Sequence, residues 1–73
     1  MKPFRDQMAD FDERRKAARV SYRDLFKVTG IQPANLSRYR NGHAEPTISQ
    51  WVRLNEALDA IIAERIKGLR QIA

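Results

Sequence analysis

Apolar residues recur along the chain at the three- and four-residue spacing that places them on one face of an α-helix. The first such pattern starts with Phe4, Met8 and Phe11 and predicts a helix from Phe4 to about Arg19, with Pro3 at its start. No run of β-branched residues alternates with polar ones, so the sequence predicts no strand. We therefore expect an all-α fold.

The second and third helices are bounded by residues that favour helix ends. Ser21 can cap the start of the second helix with its hydroxyl group, and Gly30 can adopt the left-handed conformation that ends it. Pro33 suits the first position of the third helix, and Gly42 follows its expected end. Two short helices joined by a glycine-containing turn predict a helix-turn-helix motif over residues 21–41.

The fourth helix is expected to start with a capping box formed by Thr47 and Gln50. No proline or glycine follows before Gly68, which leaves open whether this helix continues or whether a fifth helix follows a bend near Asp59. The expected inner face consists of Ile48, Trp51, Val52, Asn55, Leu58, Ile61 and Ile62. These elements predict a compact bundle of four to five helices and a single domain of residues 1–73.

Charge is concentrated in the middle of the chain. The whole chain carries +5, but residues 14–43 contain eight Lys and Arg residues and a single Asp, which gives +7. Such a basic stretch favours a nucleic acid as partner, and a solvated surface without a partner is the alternative.

Composition argues against several other classes of protein. The chain has no cysteine and a single histidine, His43, so we expect no metal site and no cofactor. No apolar run of about 18 residues is present, so no membrane-spanning helix is expected. The charged N-terminal segment is unlike a signal peptide, and we expect a cytoplasmic protein.

Polar residues gather on one face of the predicted third helix. Leu36 and Tyr39 share its apolar face. The opposite face consists of Ala34, Asn35, Arg38 and Asn41. In a helix-turn-helix motif the second helix lies in the DNA major groove, where Asn can pair with adenine and Arg with guanine. This pattern indicates a protein that recognises double-stranded DNA.

Residues 20–58 resemble the Cro and repressor type of helix-turn-helix domain found in bacteriophage and bacterial regulators. The matching residues are Leu25, Gly30, Gln32, Leu36, Ser37, Asn41, Gly42, Pro46 and Glu56–Leu58. The resemblance implies a fold similar to that of lambda repressor. It also implies a small transcriptional regulator, expected to be a repressor of phage, plasmid or mobile-element type.

The resemblance implies roles for the matched positions, to which nearby basic residues are added. The residues expected to contact bases are Pro33, Ala34, Asn35 and Arg38. The residues expected to contact phosphates are Ser21, Tyr22, Gln32, Arg40, Asn41 and His43. For Ser21 and Gln32 the expected donors are backbone N–H groups at helix starts. Local capping by Asn35 and partial burial of Tyr22 are the structural alternatives.

Two residues depart from the family pattern. Phe26 stands where the family prefers alanine, so the packing of the second helix on the third is expected to differ. Arg40 stands where a glutamate commonly pairs with an arginine of the first helix, here Arg15. Two arginines cannot pair, so we expect this bridge to be absent and Arg40 to reach a phosphate or Glu45.

A homodimer on a palindromic operator is expected, because one short helix reads only a few base pairs. The expected dimer contact lies mainly in residues 54–73, which include the last helical segment, 59–73, and its residues alternate four and three apart. They are Leu58, Ile62, Arg65, Leu69 and Ile72. The alternative is that this segment packs back onto the first helix.

Other functions remain in competition with DNA recognition. An antitoxin that neutralises a protein partner through its C-terminal helix is the main alternative. An enzyme is not expected, because the sequence shows no nucleophile–base spacing and no phosphate-binding glycine loop. RNA binding is disfavoured, because a sheet with aromatic stacking residues is not predicted.

Overall fold

The computed structural model describes residues 2–72, which form four α-helices. These are α1 (Phe4–Ala17), α2 (Tyr22–Thr29), α3 (Pro33–Arg40) and α4 (Ile48–Ile72). Within the described residues there is no strand. α2 packs against both α3 and α4, and α1 packs against α3. The predicted all-α fold is confirmed.

Apolar side chains from all four helices and from two of the connecting loops form one core. Its buried members are Met8, Phe11, Val20, Leu25, Ile31, Leu36, Tyr39, Leu54, Ala57 and Leu58. Trp51 joins α1 to α4, since its ring centroid lies 5.1 Å from that of Phe4 and 5.2 Å from that of Phe11. Its indole N–H also donates a hydrogen bond of 3.1 Å to Gln7 Oε1.

The first helix ends two residues earlier than the sequence predicts. Its last residue is Ala17, and Arg19 adopts a left-handed conformation with φ of 57°. The N–H of Arg19 bonds to the Lys16 carbonyl oxygen at 3.0 Å, and that of Val20 bonds to the Arg15 carbonyl oxygen at 3.0 Å. This pair of hydrogen bonds is the Schellman motif, which ends a helix by satisfying its last carbonyl groups.

The fourth helix is continuous through Asp59, which settles the question of a fifth helix. It starts with the predicted capping box: Thr47 Oγ1 accepts from the Gln50 N–H at 3.1 Å, and Gln50 Oε1 accepts from the Thr47 N–H at 2.9 Å. A helix of 25 residues is about 37 Å long at 1.5 Å per residue. α4 therefore accounts for most of the 42 Å length of the molecule.

The predicted inner face of α4 is partly wrong. Ile48 is 85% exposed and Val52 is 47% exposed, whereas Leu54 and Ala57 are buried. Both sets fit a helical spacing, so the sequence pattern contains two overlapping stripes. The helix turns the second stripe inward, where the small Ala57 lets the end of α2 at Thr29 lie close by.

The predicted dimer contact is also partly wrong. Leu58 is completely buried in the core of its own chain and is unavailable to a second copy. Ile62 packs against the same core, so part of this segment does pack back onto the bundle. Further along α4, Ile66 is 47% exposed and Leu69 is 68% exposed. The side chain of Ile72 lies outside the part of the chain that the structure describes.

Candidate nucleic-acid interface

The start of α2 is fixed by a capping box. Ser21 Oγ accepts a hydrogen bond of 3.1 Å from the Asp24 N–H, and Asp24 Oδ2 accepts one of 2.9 Å from the Ser21 N–H. The bond from the Ser21 N–H is the main reason that the pKa of Asp24 lies below its usual value. The predicted cap is therefore confirmed. The Ser21 N–H, however, already has a partner and is not the free phosphate donor that the sequence predicts.

The turn between α2 and α3 is held by hydrogen bonds and by a buried side chain. Gly30 adopts φ of 75°, as expected, and its N–H bonds to the Phe26 carbonyl oxygen at 2.8 Å. The hydroxyl of Thr29 donates to the Leu25 carbonyl oxygen at 2.8 Å and accepts from the Ile31 N–H at 3.1 Å. Because Ile31 is also buried, the turn fixes the direction in which α3 leaves α2.

α3 begins as the sequence predicts. Pro33 occupies the first turn, and Gln32 precedes it with the extended ψ of 141° that a following proline favours. Leu36 and Tyr39 are buried and anchor the inner face of the helix. The exposed residues of the helix and its flanks include Gln32, Ala34, Asn35, Ser37, Arg38 and Asn41, whereas Pro33 is half-buried.

The end of α3 turns sharply away from the helix axis. Gly42 has φ of 77°, and the N–H of His43 bonds to the Arg38 carbonyl oxygen at 2.9 Å. This bond holds the exposed His43 beside the last turn of the helix. Asn41 and His43 therefore lie together at the C-terminal end of α3, as the predicted phosphate contacts require.

A buried carboxylate joins α1 to both helices of the motif. Asp12 Oδ1 accepts a hydrogen bond of 2.9 Å from Arg15 Nε and another of 2.9 Å from the Tyr22 hydroxyl. Asp12 Oδ2 lies 3.2 Å from Arg40 Nε, and the Arg15 guanidinium lies 4.3 Å from the centroid of the Tyr22 ring. We call these four residues the Asp12 cluster.

The Asp12 cluster corrects the expectation that a bridge between α1 and α3 is absent. The repulsion between Arg15 and Arg40 is offset, because both pair with the carboxylate of Asp12. Arg40 therefore pairs with Asp12 rather than with Glu45. The sequence contained a signal for the pair of Asp12 with Arg15, since Asp12 precedes Arg15 by one helical turn, but none for the pair with Arg40.

Tyr22 is half-buried, and its hydroxyl is already engaged. Burial is the main reason that its pKa is raised, and the hydrogen bond to Asp12 adds to this effect. Tyr22 therefore keeps its proton at neutral pH and donates it to Asp12. A phenol has a single O–H donor, so Tyr22 can donate a hydrogen bond to a phosphate only if its bond to Asp12 breaks.

Several basic residues remain without a carboxylate partner among the described residues. Arg14 pairs with Asp59 of α4, and Arg15 and Arg40 share Asp12. The basic residues of the 14–43 stretch that form no ion pair within residues 2–72 are Lys16, Arg19, Arg23, Lys27 and Arg38. The positive charge available to a polyanion is therefore smaller than the sequence count suggests.

In residues 2–72 no group of three or more His, Asp or Glu side chains is placed to hold a metal ion. Over the same residues, no helix is both long and apolar enough to cross a membrane.

The family model for the Cro/C1-type helix-turn-helix matches residues 12–61. The match covers more than half of the 73 residues. The chain belongs to the Cro/C1-type helix-turn-helix family. No curated protein and no solved structure matched it in the corresponding comparisons.

Membership of the Cro/C1-type family indicates what kind of molecule this domain binds. The family is one of DNA-binding regulators of transcription, so the partner of this domain is double-stranded DNA. The match begins at Asp12 and ends at Ile61, and it therefore includes the Asp12 cluster, both helices of the motif and the first half of α4.

Proposed function

We propose that this Cro/C1-type domain represses transcription in the bacterial cytoplasm by binding a palindromic operator as a homodimer. The observation that carries the proposal is the outward face of α3. Arg38 is exposed there one turn after Asn35, on a helix whose opposite face is anchored by Leu36 and Tyr39. A rigid helix with exposed amide and guanidinium groups suits direct contact with base edges.

Base recognition is assigned to four residues of α3. Arg38 donates two hydrogen bonds to guanine O6 and N7, and Asn35 pairs with adenine. Pro33 and Ala34 carry no hydrogen-bonding side chain, so they contact apolar groups such as the thymine methyl. Among residues 2–72 no side chain is bonded to the Arg38 guanidinium, which supports a role for it in binding a ligand.

Phosphate binding is assigned to residues at the two ends of α3. The N-terminal end offers backbone N–H groups near Gln32, where the helix dipole favours an anion. The C-terminal end offers the side chains of Asn41 and His43 and the outer nitrogen atoms of Arg40, whose Nε is paired with Asp12. Tyr22 and Ser21 contribute mainly by fixing the start of α2 beside these contacts.

Two copies are needed for a site of useful length. A single α3 spans a few base pairs, and a two-fold dimer places two such helices about 34 Å apart on successive major grooves. A dimer held on an operator excludes other proteins from the same DNA, and repression follows from this exclusion. The resemblance to phage regulators supports a phage, plasmid or mobile-element repressor.

The first prediction concerns sequence recognition by Arg38. The preferred site is obtained by selecting bound sequences from random double-stranded DNA. Arg38→Ala is then expected to weaken binding to that site by about 1–3 kcal/mol and to relax the preference at one base pair of each half-site, because a bidentate contact to guanine is lost. Competition binding against all single-base variants of the site measures both effects.

Arg70→Ala is the matched control, since it removes the same charge from an exposed position near the end of α4. We expect it to leave the base preference unchanged. If Arg38→Ala preserves the preference at every base pair, Arg38 is not a base-reading residue. If the selection yields no enriched sequence at all, the proposal of sequence-specific binding is wrong.

A further inference from the structure

A groove of about 470 Å³ runs between α1 and the C-terminal end of α3. Met8 and Ala9 contribute to its apolar floor, and basic side chains of Arg5, Lys16 and Arg40 line it. Arg5 and Lys16 are eleven residues apart on α1, which at 100° per residue places them on the same side of the helix. We call this feature the α1 groove.

The α1 groove is continuous with the proposed phosphate contacts at the end of α3. A second cleft beside it is lined by Phe4, Arg5, Tyr39, Arg40, Asn41, Gly42, Ala44 and Glu45. Arg5 and Arg40 thus border both depressions. These two arginines connect the α1 groove with Asn41 at the end of α3.

The charge of the α1 groove favours an anion. Asp12 lies in the groove, but its carboxylate is already shared by Arg15, Arg40 and the Tyr22 hydroxyl. Within residues 2–72 the carboxylate paired with Arg5 is that of Asp6, at 3.4 Å, and an exposed pair of this kind is weak. Glu13 is the other acidic residue that lines the groove, so three basic and two acidic side chains line it in all.

The spacing of the basic residues indicates what kind of anion fits. Eleven residues of α-helix separate Arg5 from Lys16 by about 16 Å. A small anion cannot reach both, whereas one DNA strand presents a phosphate about every 3.4 Å along the helix axis. An extended phosphodiester chain therefore matches this line of charges.

We infer that the α1 groove binds the DNA backbone beyond the bases that α3 recognises, with Arg5 and Lys16 as additional phosphate-binding residues. The inference rests on the proposed function, and it extends the DNA interface from the helix-turn-helix motif onto α1. Within it, Asp12 is a positioning residue, because its pairing with Arg40 Nε leaves the outer nitrogen atoms of Arg40 available to a phosphate.

The test compares Lys16→Ala with Arg14→Ala, measured on two duplexes. Both substitutions remove one positive charge from α1, but positions 14 and 16 lie on opposite sides of the helix, and Arg14 is paired with Asp59 of α4. One duplex contains the selected site with ten flanking base pairs on each side. The other is trimmed to the base pairs that show a sequence preference. Thermal unfolding checks that both variants are folded.

On the long duplex at 0.1 M salt, we expect Lys16→Ala to weaken binding about five- to tenfold and to reduce the slope of log K against log salt by about 0.9, the loss of one phosphate contact. Arg5→Ala should behave similarly, and Arg14→Ala should change the affinity less than about twofold. On the trimmed duplex, Lys16→Ala should bind as the unsubstituted protein does.

Equal losses for Lys16→Ala and Arg14→Ala would overturn the inference, because the effect would then be one of total charge. So would a loss for Lys16→Ala that is the same on both duplexes. Either result leaves the proposed function intact as long as Arg38→Ala still alters the base preference, so the two failures are distinguishable.

Discussion

The end of α1 depends on a single residue in an unusual conformation. Arg19 adopts φ of 57°, a region that costs most residues about 1–2 kcal/mol and that glycine enters readily. Gly30, the residue that follows the end of α2, is also left-handed, with φ of 75°, although a single hydrogen bond to the Phe26 carbonyl oxygen replaces the pair of bonds seen around Arg19. A left-handed residue thus ends α1 as a strained arginine and α2 as a glycine.

The difference between the two helix ends predicts the effect of exchanging their residues. Arg19→Gly is expected to raise the free energy of unfolding by about 0.5–1 kcal/mol. Glycine removes the strain of the left-handed conformation, and this gain exceeds the free energy lost because glycine gives the unfolded chain more conformational entropy. Gly30→Ala is expected to lower it by about 1 kcal/mol, because open space around the residue leaves only backbone strain. Urea denaturation measures both values, and a less stable Arg19→Gly variant would contradict the argument.

At the scale of the helices, the Asp12 cluster determines how α1 is attached to the motif. One carboxylate accepts from Arg15 of its own helix, from Tyr22 at the start of α2 and from Arg40 at the end of α3. Asp12 is 6% exposed, so its negative charge is compensated almost entirely by these three groups. Removing the carboxylate charge leaves the half-buried Arg15 without its partner.

Asp12→Asn is expected to lower the free energy of unfolding by about 1–3 kcal/mol, because Arg15 loses its carboxylate partner but keeps its hydrogen bond to the Val20 carbonyl oxygen. Tyr22→Phe removes a single hydrogen bond and should cost about 1 kcal/mol. Asp10→Asn is the matched control, since its pairing with Lys2 is exposed and should contribute less than about 1 kcal/mol. If Asp10→Asn and Asp12→Asn lower the free energy of unfolding equally in denaturant titrations, the buried Asp12 cluster contributes no more to stability than the exposed pair does.

Three of the helix ends were predictable from sequence because they depend on local chemistry, whereas the end of α1 at Ala17, with a left-handed Arg19, was not. The Ser21 cap, the left-handed Gly30 and the Thr47–Gln50 capping box each involve residues within a few positions of one another. The inner face of α4 was only partly predictable: Trp51, Leu58, Ile61 and Ile62 do pack on the core, but two overlapping stripes fit the same spacing and the position of α2 selects between them. The contact between Asp12 and Arg40 likewise depends on how α1 lies against α3.

At the scale of the whole molecule, α4 extends beyond the bundle that its first half completes. Leu54 and Leu58 are fully buried, whereas Ile66 and Leu69 are exposed on the distal part of the helix. The last tertiary contacts described along α4 are made by Arg65, whose guanidinium group bonds to the Ala18 carbonyl oxygen and lies 3.5 Å from Asp24. The apolar residues beyond Arg65 are therefore the part of α4 best placed to meet a second copy.

The last prediction is that Ile66→Glu converts a dimer into a monomer. Ile66 and Leu69 are exposed and three residues apart, so they share one face of distal α4, and a carboxylate within a helix–helix contact on that face would be desolvated without a partner. Ile48→Glu is the matched control, since Ile48 is an exposed isoleucine at the opposite end of the same helix. Sedimentation equilibrium should show a monomer for the first variant and a dimer for the second. If the Ile66→Glu variant is still a dimer, the two copies must be joined elsewhere. If the unsubstituted chain is a monomer at high micromolar concentration, that result contradicts the two-fold model of operator binding.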